Sequence, residues 1–206
     1  KRQNCYVSKP WHKFKNFIGA HGVFPWNKVG NKSKTYIGRM RMSLDKDGVL
    51  SPQELKRIPG VPSHQRLKQG PCAVIECAQP IPCNPCEKAC PSDAIKVGVP
   101  ITNVPILDAN KCSGCGMCIP SCPGLAIFVV DLTYDEKMAK VSIPYEFLPI
   151  PKKGDKIIVL GRKGEKLCDS RIISTKNLKR YDRTAIVSFT VPKEYVMEAR
   201  HIEIKP

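Results

Sequence analysis

The sequence has no run of eighteen apolar residues, so nothing in it reads as a membrane-spanning helix, and no apolar signal segment opens it. It also lacks a nucleotide-binding glycine fingerprint, a pair of carboxylates spaced for acid-base work and a Ser/His/Asp set. Substrate chemistry by this chain alone is thereby excluded, and a soluble protein is expected. Acidic residues are missing from residues 1–44, which carry ten Lys or Arg; the first carboxylate is Asp45. The rest of the +16 formal charge is unevenly spread. Residues 70–131 are slightly acidic, with Lys88, Lys96 and Lys111 against Glu76, Glu87, Asp93, Asp108 and Asp131. From Pro144 onward the chain is basic again, with fourteen Lys or Arg against eight acids.

Cysteine is abundant. Eight of the eleven fall between residues 77 and 122, in two copies of one pattern. The second copy is complete: Cys112, Cys115, Cys118 and Cys122, spaced C-x2-C-x2-C-x3-C and followed by Pro123. The first reads Cys83, Cys86, Cys90 and Pro91, with Cys77 further upstream than a perfect repeat would place it. A cubane of iron and sulfide needs four thiolates around its corners. Cysteines at two-residue intervals let one tight loop supply three of them, and the fourth must come from elsewhere. The repeat continues past the thiols, because Cys90-Pro-Ser-Asp-Ala94-Ile95 aligns with Cys122-Pro-Gly-Leu-Ala126-Ile127. Two related halves facing each other about a pseudo-twofold axis are therefore expected. Structural zinc and disulfides are weaker readings: zinc favours paired C-x2-C knuckles, and thiols this close make a poor disulfide framework. Reduced thiolates in this spacing argue for a reducing compartment, most simply the cytoplasm. Cys5, Cys72 and Cys168 are left over as inert thiols, although Cys72 is close enough to compete with Cys77 as the irregular ligand.

Around this centre the chain divides into an arm over 1–44, a short helix and linker over 45–69, a cluster domain over 70–132 and a β-rich part over 144–206. The arm interleaves lysines with Trp11, Phe14, Phe17, Phe24, Trp26 and Tyr36, and only residues 11–18 could form a short amphipathic helix. Such a segment suits wrapping a partner subunit, the reading favoured here, or stacking single-stranded nucleic acid. His12, His21 and His64 are isolated and read as surface residues. Residues 43–54 echo the end of a calcium-binding loop, but Ser43 stands where an Asp ligand is required. The better reading is a turn followed by Ser51 as N-cap, Pro52 in the first helical position and Glu54 completing a capping box. Strands are expected over 72–77, 94–99 paired with 104–107, 125–132, 156–160, 167–174, 184–191 and 201–204, with one or two helical turns over 192–199. The fold class is α+β: a ferredoxin-like two-cluster domain followed by a small half-open barrel or sheet. A nucleic-acid-binding barrel is the rival for that last part, but its basic residues lack an aromatic pair on a strand face.

The two cysteine runs resemble those of bacterial-type two-cluster 4Fe-4S ferredoxins, in which the cysteine before each proline ligates the other cluster. That resemblance implies one cluster on Cys77, Cys83, Cys86 and Cys122, and a second on Cys112, Cys115, Cys118 and Cys90. Over a longer stretch, GPCAVIECAQPIPCNPCEKACPSDAI, ITNVPILDANKCSGCGMCIPSCPGLAIFVVDL and the β-rich tail are similar to the small 4Fe-4S subunits of clostridial-type multi-subunit dehydrogenases. Those subunits sit beside FAD-dependent subunits related to proline, hydroxyproline and glycine oxidoreductases. This similarity implies that Cys77 is a ligand, that FAD belongs to a partner flavoprotein in a hetero-oligomer, and that this chain carries electrons rather than performing catalysis.

Overall fold

The computed structural model describes residues 43–205. All but the end of the arm, with the helix expected over 11–18 and with Cys5, His12 and His21, lies outside the described residues.

Among the described residues, helices are few and short: α1 (Leu44–Asp47), α2 (Pro52–Leu55), α3 (His64–Leu67) and α4 (Pro85–Ala89). Helices of this length are marginal alone and depend on caps and packing. At α2 the capping box read from the sequence is present, with Pro52 in the first turn and the Ser51 hydroxyl accepting from Glu54 N. The Glu54 carboxylate is fully engaged. It accepts from Ser51 N at 2.7 Å, from the Ser51 hydroxyl at 2.7 Å, from Ser43 N at 2.6 Å and from the Ser43 hydroxyl.

The remainder is mostly antiparallel sheet, so the α+β expectation gives way to a largely β architecture. The strands are β1 (Cys72–Ile75), β2 (Ile95–Lys96), β3 (Ile106–Leu107), β4 (Ile127–Asp131), β5 (Met138–Tyr145), β6 (Lys156–Leu160), β7 (Lys166–Lys176), β8 (Ala185–Pro192) and β9 (His201–Ile204). Seven of them form one sheet in the order β1-β4-β5-β8-β7-β6-β9, and β2 and β3 form a separate pair. β1 and β4 are short apolar runs, buried almost throughout, as expected of strands packed on both faces. β5 and β8 form the longest ladder, from Met138↔Pro192 to Tyr145↔Ala185. Val141, Ile143, Val187 and Phe189 on these strands are fully buried and centre the core.

The sheet is continuous across the interval between residues 132 and 144, because β5 pairs with β4 on one side and β8 on the other. Lysine, serine and Pro144 disguise β5 in the sequence, proline being confined to strand edges and ends. Here Pro144 lies beyond Ser142, the last residue that pairs with β4, so only one side of it belongs to a ladder. The outer edge of β1 is covered by the loop after α2, where Gly60 O accepts from Ile75 N at 2.9 Å. Any Cβ at Gly60 would lie 2.7 Å from Ile75 Cβ.

Candidate iron-sulfur centre

The two cysteine loops are built alike. In the first, Glu87 N donates to Asn84 O, Cys90 N to Glu87 O and Asp93 N to Cys90 O, at 3.2, 3.3 and 3.2 Å. In the second, Ile119 N donates to Gly116 O, Cys122 N to Ile119 O and Leu125 N to Cys122 O, at 3.1, 3.3 and 3.1 Å. Asp93 and Leu125, at matching places after the two prolines, both take left-handed backbone angles (φ 53° and 51°). That turn aims the next amide back at the cysteine: Ala94 N lies 3.2 Å from Cys90 Sγ, and Ala126 N 3.4 Å from Cys122 Sγ. The strands obey the same symmetry. β1 precedes loop one as β3 precedes loop two, β2 and β4 follow them, and the pairs formed are β1·β4 and β2·β3.

The thiols gather into two sets, each containing one cysteine from the other run. Burial, with the neighbouring Cys122 and Cys83 thiols, pushes Cys77 up. The same causes, again with Cys122 the foremost thiol neighbour, push Cys86 up to about 11. On the other side Cys118 is pushed up to about 12 by burial and by Cys112, Cys115 and Cys90. Cys90, Cys112, Cys115 and Cys118 together line one small hollow of about 20 Å³. The buried thiols of Cys77, Cys86 and Cys118 resist ionisation with other thiols beside them, and such a crowd of sulfur donors suits a cationic group that neutralises several thiolates at once, as iron-sulfur clusters do. No three His, Cys, Asp or Glu among the described residues converge as they would on one metal ion. Thiols round a single zinc ion would lie roughly 3.8 Å apart, given a Zn–S bond of about 2.3 Å.

Cys72 joins neither loop. It is fully buried on β1, and its thiol bonds to Cys112, which holds Cys112 down at about 5 while Cys72 itself is pushed up. Ala73 N also donates to Cys112 Sγ, at 3.4 Å. Cys168 lies on β7, half-buried and away from both sets.

Several positioning residues left no mark in the sequence reading. Arg66 on α3, inside the segment read as a linker, donates to Ala109 O at 2.7 Å and Cys112 O at 2.8 Å, clamping the entry to the second loop. Glu87 accepts from Val97 N and Gly98 N at 3.0 and 3.1 Å, tying α4 to the end of β2. Glu76, next to Cys77, sits in a buried ion network with Arg162 at 2.6 Å and Arg200 at 2.7 Å; Arg162 also meets Glu198 at 2.8 Å. Burial pushes the Glu76 carboxyl up, but the two guanidiniums outweigh it and the net shift is downward. The Arg200 guanidinium also lies 4.6 Å from the centre of the Phe128 ring. Gly114, at φ +67°, rests against Pro71 so closely that a Cβ would lie 2.6 Å from Pro71 Cβ.

Residues 74–132 match the LdpA Fe-S cluster-binding domain. The chain is 36% identical over 58 residues to the ferredoxin-type protein NapF of Haemophilus influenzae, covering 27% of this chain and 33% of that protein. It is 44% identical over 45 residues to the uncharacterized ferredoxin MJ0155 of Methanocaldococcus jannaschii, covering 22% of this chain and 28% of that one. It is 29% identical over 124 residues to Protein Pixie of Drosophila melanogaster, covering 50% of this chain and 20% of that protein. The chain thus spans a third or less of the length of these curated relatives. No solved structure matches. The cysteine region is an iron-sulfur-binding, ferredoxin-like domain, and the role it points to is electron transfer.

Proposed function

We propose that this chain is an electron-transfer subunit with two 4Fe-4S clusters, one on Cys77, Cys83, Cys86 and Cys122 and one on Cys90, Cys112, Cys115 and Cys118. The observation that carries this reading is the gathering of the thiols into two sets of four, each completed by the cysteine that precedes the other run's proline. Clusters held this way supply single-electron steps. The chain's own residues do the rest. Crossed fourth ligands keep the two sets adjacent, amides of Ala73, Ala94 and Ala126 donate to cysteine sulfur, and hydrogen bonds of that kind adjust the potential. Cys115 is exposed where Cys86 and Cys118 are buried, which makes its side of the second set the natural exit for an electron. The donor in this reading is a flavoprotein dehydrogenase partner carrying FAD in a cytoplasmic hetero-oligomer. The resemblance of the cysteine region and β-rich tail to dehydrogenase subunits supports it.

The test is anaerobic purification of the native complex with iron, sulfide and flavin quantified together. About eight irons with a co-purifying flavoprotein is the expected result. Cys115→Ala or Cys86→Ala should each remove one cluster and abolish coupled turnover, while the partner's flavin is still reduced by its substrate. Retention of coupled turnover would defeat the relay. Nucleic acid in place of flavin, with affinity falling steeply as salt rises, would move the function to nucleic-acid binding.

A further inference from the structure

The sheet face opposite Val130, Val141, Val187 and Phe189 carries a cavity of about 130 Å³ beside the second cysteine loop, walled by Cys115. A single water needs roughly 10–15 Å³, so the cavity admits a group of several heavy atoms. Its floor is a row of serines on adjacent strands, Ser142 opposite Ser188 and Ser188 opposite Ser174. Sheet surfaces favour β-branched and aromatic residues, and three small hydroxyls side by side leave a trough where larger side chains would fill it.

The groups around the trough are richer in donors and positive charge than in acceptors. Ser142 and Ser188, only 8% and 5% exposed, share a single hydrogen bond of 2.8 Å between their hydroxyls. One bond between two hydroxyls uses one proton, so a second proton is left to donate. The Ser174 hydroxyl makes no hydrogen bond among the described residues, and Lys140 and Lys176 on the rim make no ion pair among them. The one carboxylate in the lining, Asp131, turns Oδ1 to Thr133 N at 3.0 Å and the Thr133 hydroxyl at 2.7 Å, and its single charge is outnumbered by the two lysines. Two lysines against one aspartate, with buried hydroxyl donors lining the same small space, suit a ligand that is negatively charged and accepts through several oxygens.

We infer that this cavity binds a small oxyanion of the phosphate class, free or as the terminal group of a larger redox-active molecule, against the exposed cysteine of the second run. Binding itself is independent of the proposed relay; only the effect on potential rests on that reading. An anion beside the loop disfavours adding an electron to a cluster there and lowers its potential.

The full chain, purified anaerobically with its iron, is titrated calorimetrically with inorganic phosphate, riboflavin 5′-phosphate and riboflavin in a phosphate-free buffer. The expected result is saturable phosphate binding that weakens at least tenfold in the Lys140→Gln/Lys176→Gln variant, with iron content unchanged. Should that variant lose iron, Lys176→Gln alone, at an exposed position, should still weaken binding several-fold. Equal affinity for the two phosphates identifies a free anion; a much tighter riboflavin 5′-phosphate, with riboflavin silent, identifies the terminal group of a larger ligand. No binding of either phosphate at millimolar concentration, or equal binding by wild type and variants, overturns the site. An EPR-monitored redox titration with and without phosphate reads the second arm. Binding without a downward shift in midpoint leaves the site standing and removes its influence on the relay.

Discussion

Cys72 is placed to act on the proposed cluster through the sulfur of Cys112 rather than as a ligand. Its position five residues before Cys77 makes it a competitor for the irregular ligand in the sequence, yet it bonds to Cys112, which belongs to the opposite set. Its thiol and the amide of Ala73 both donate to the same sulfur. Hydrogen bonds to ligand sulfur stabilise the more negative, reduced state and raise the potential. Cys72→Ala should therefore keep the full iron content and lower the midpoint of the cluster assigned to Cys112, read by EPR-monitored titration. Cys77→Ala should instead lose iron. Loss of iron in Cys72→Ala, with retention in Cys77→Ala, would reverse the assignment of the irregular ligand.

At the scale of elements, two polar devices hold the short pieces in place, and they respond differently to change. Glu54 is held well below the usual carboxylate range, at about 2, chiefly by the Ser43 and Ser51 hydroxyls and the Ser51 amide. A depressed carboxyl stabilises the fold above its unfolded value, near 4.5, and loses that contribution as pH falls toward 2. Amide exchange over residues 43–58 should thus be faster in Glu54→Gln than in wild type at pH 7, the difference shrinking below about pH 4.5 and vanishing near pH 2. A difference independent of pH would mean that the carboxylate's charge is irrelevant to the cap. The Glu76 network is buried, and removing one partner from a buried pair leaves the other charge uncompensated. Glu76→Ala should cost about 3–5 kcal/mol in denaturant unfolding, with Arg200 the residue left without a partner carboxylate. A loss under about 1 kcal/mol would show that solvent reaches both guanidiniums. Local signals made the capping box readable in advance, since Ser51, Pro52 and Glu54 are neighbours in sequence. The spacing and the proline after each run likewise exposed both cysteine loops and their flanking strands. Arg66, Arg162 and Arg200 were illegible because their partners lie far along the chain. β5 was hidden because its pairing on both sides, rather than its own composition, makes it a strand.

For the molecule as a whole, the consequential feature is that the iron-sulfur region and the β-rich tail share one sheet. β4 is an apolar strand whose free edge is covered by β5 through Val129↔Ser142 and Val130↔Val141. Glu76, adjacent to Cys77, finds both of its arginines in the tail, and Phe128 lies against one of them. The tail therefore closes a hydrophobic edge and neutralises a buried charge one residue from a proposed ligand, which goes beyond capping a finished domain. A chain ending after Leu132 exposes the Ile127–Asp131 edge and leaves Glu76 unpaired. It should aggregate or, on anaerobic reconstitution, hold less iron per chain than the full protein. A chain starting at Ser43 keeps every contact named here and should hold the full amount. Iron and sulfide assays on both, with size-exclusion chromatography to detect aggregation, decide the matter. Full, stable loading of the version ending after Leu132 would show that the iron-sulfur region folds alone and that the shared sheet serves only to hold the tail in position.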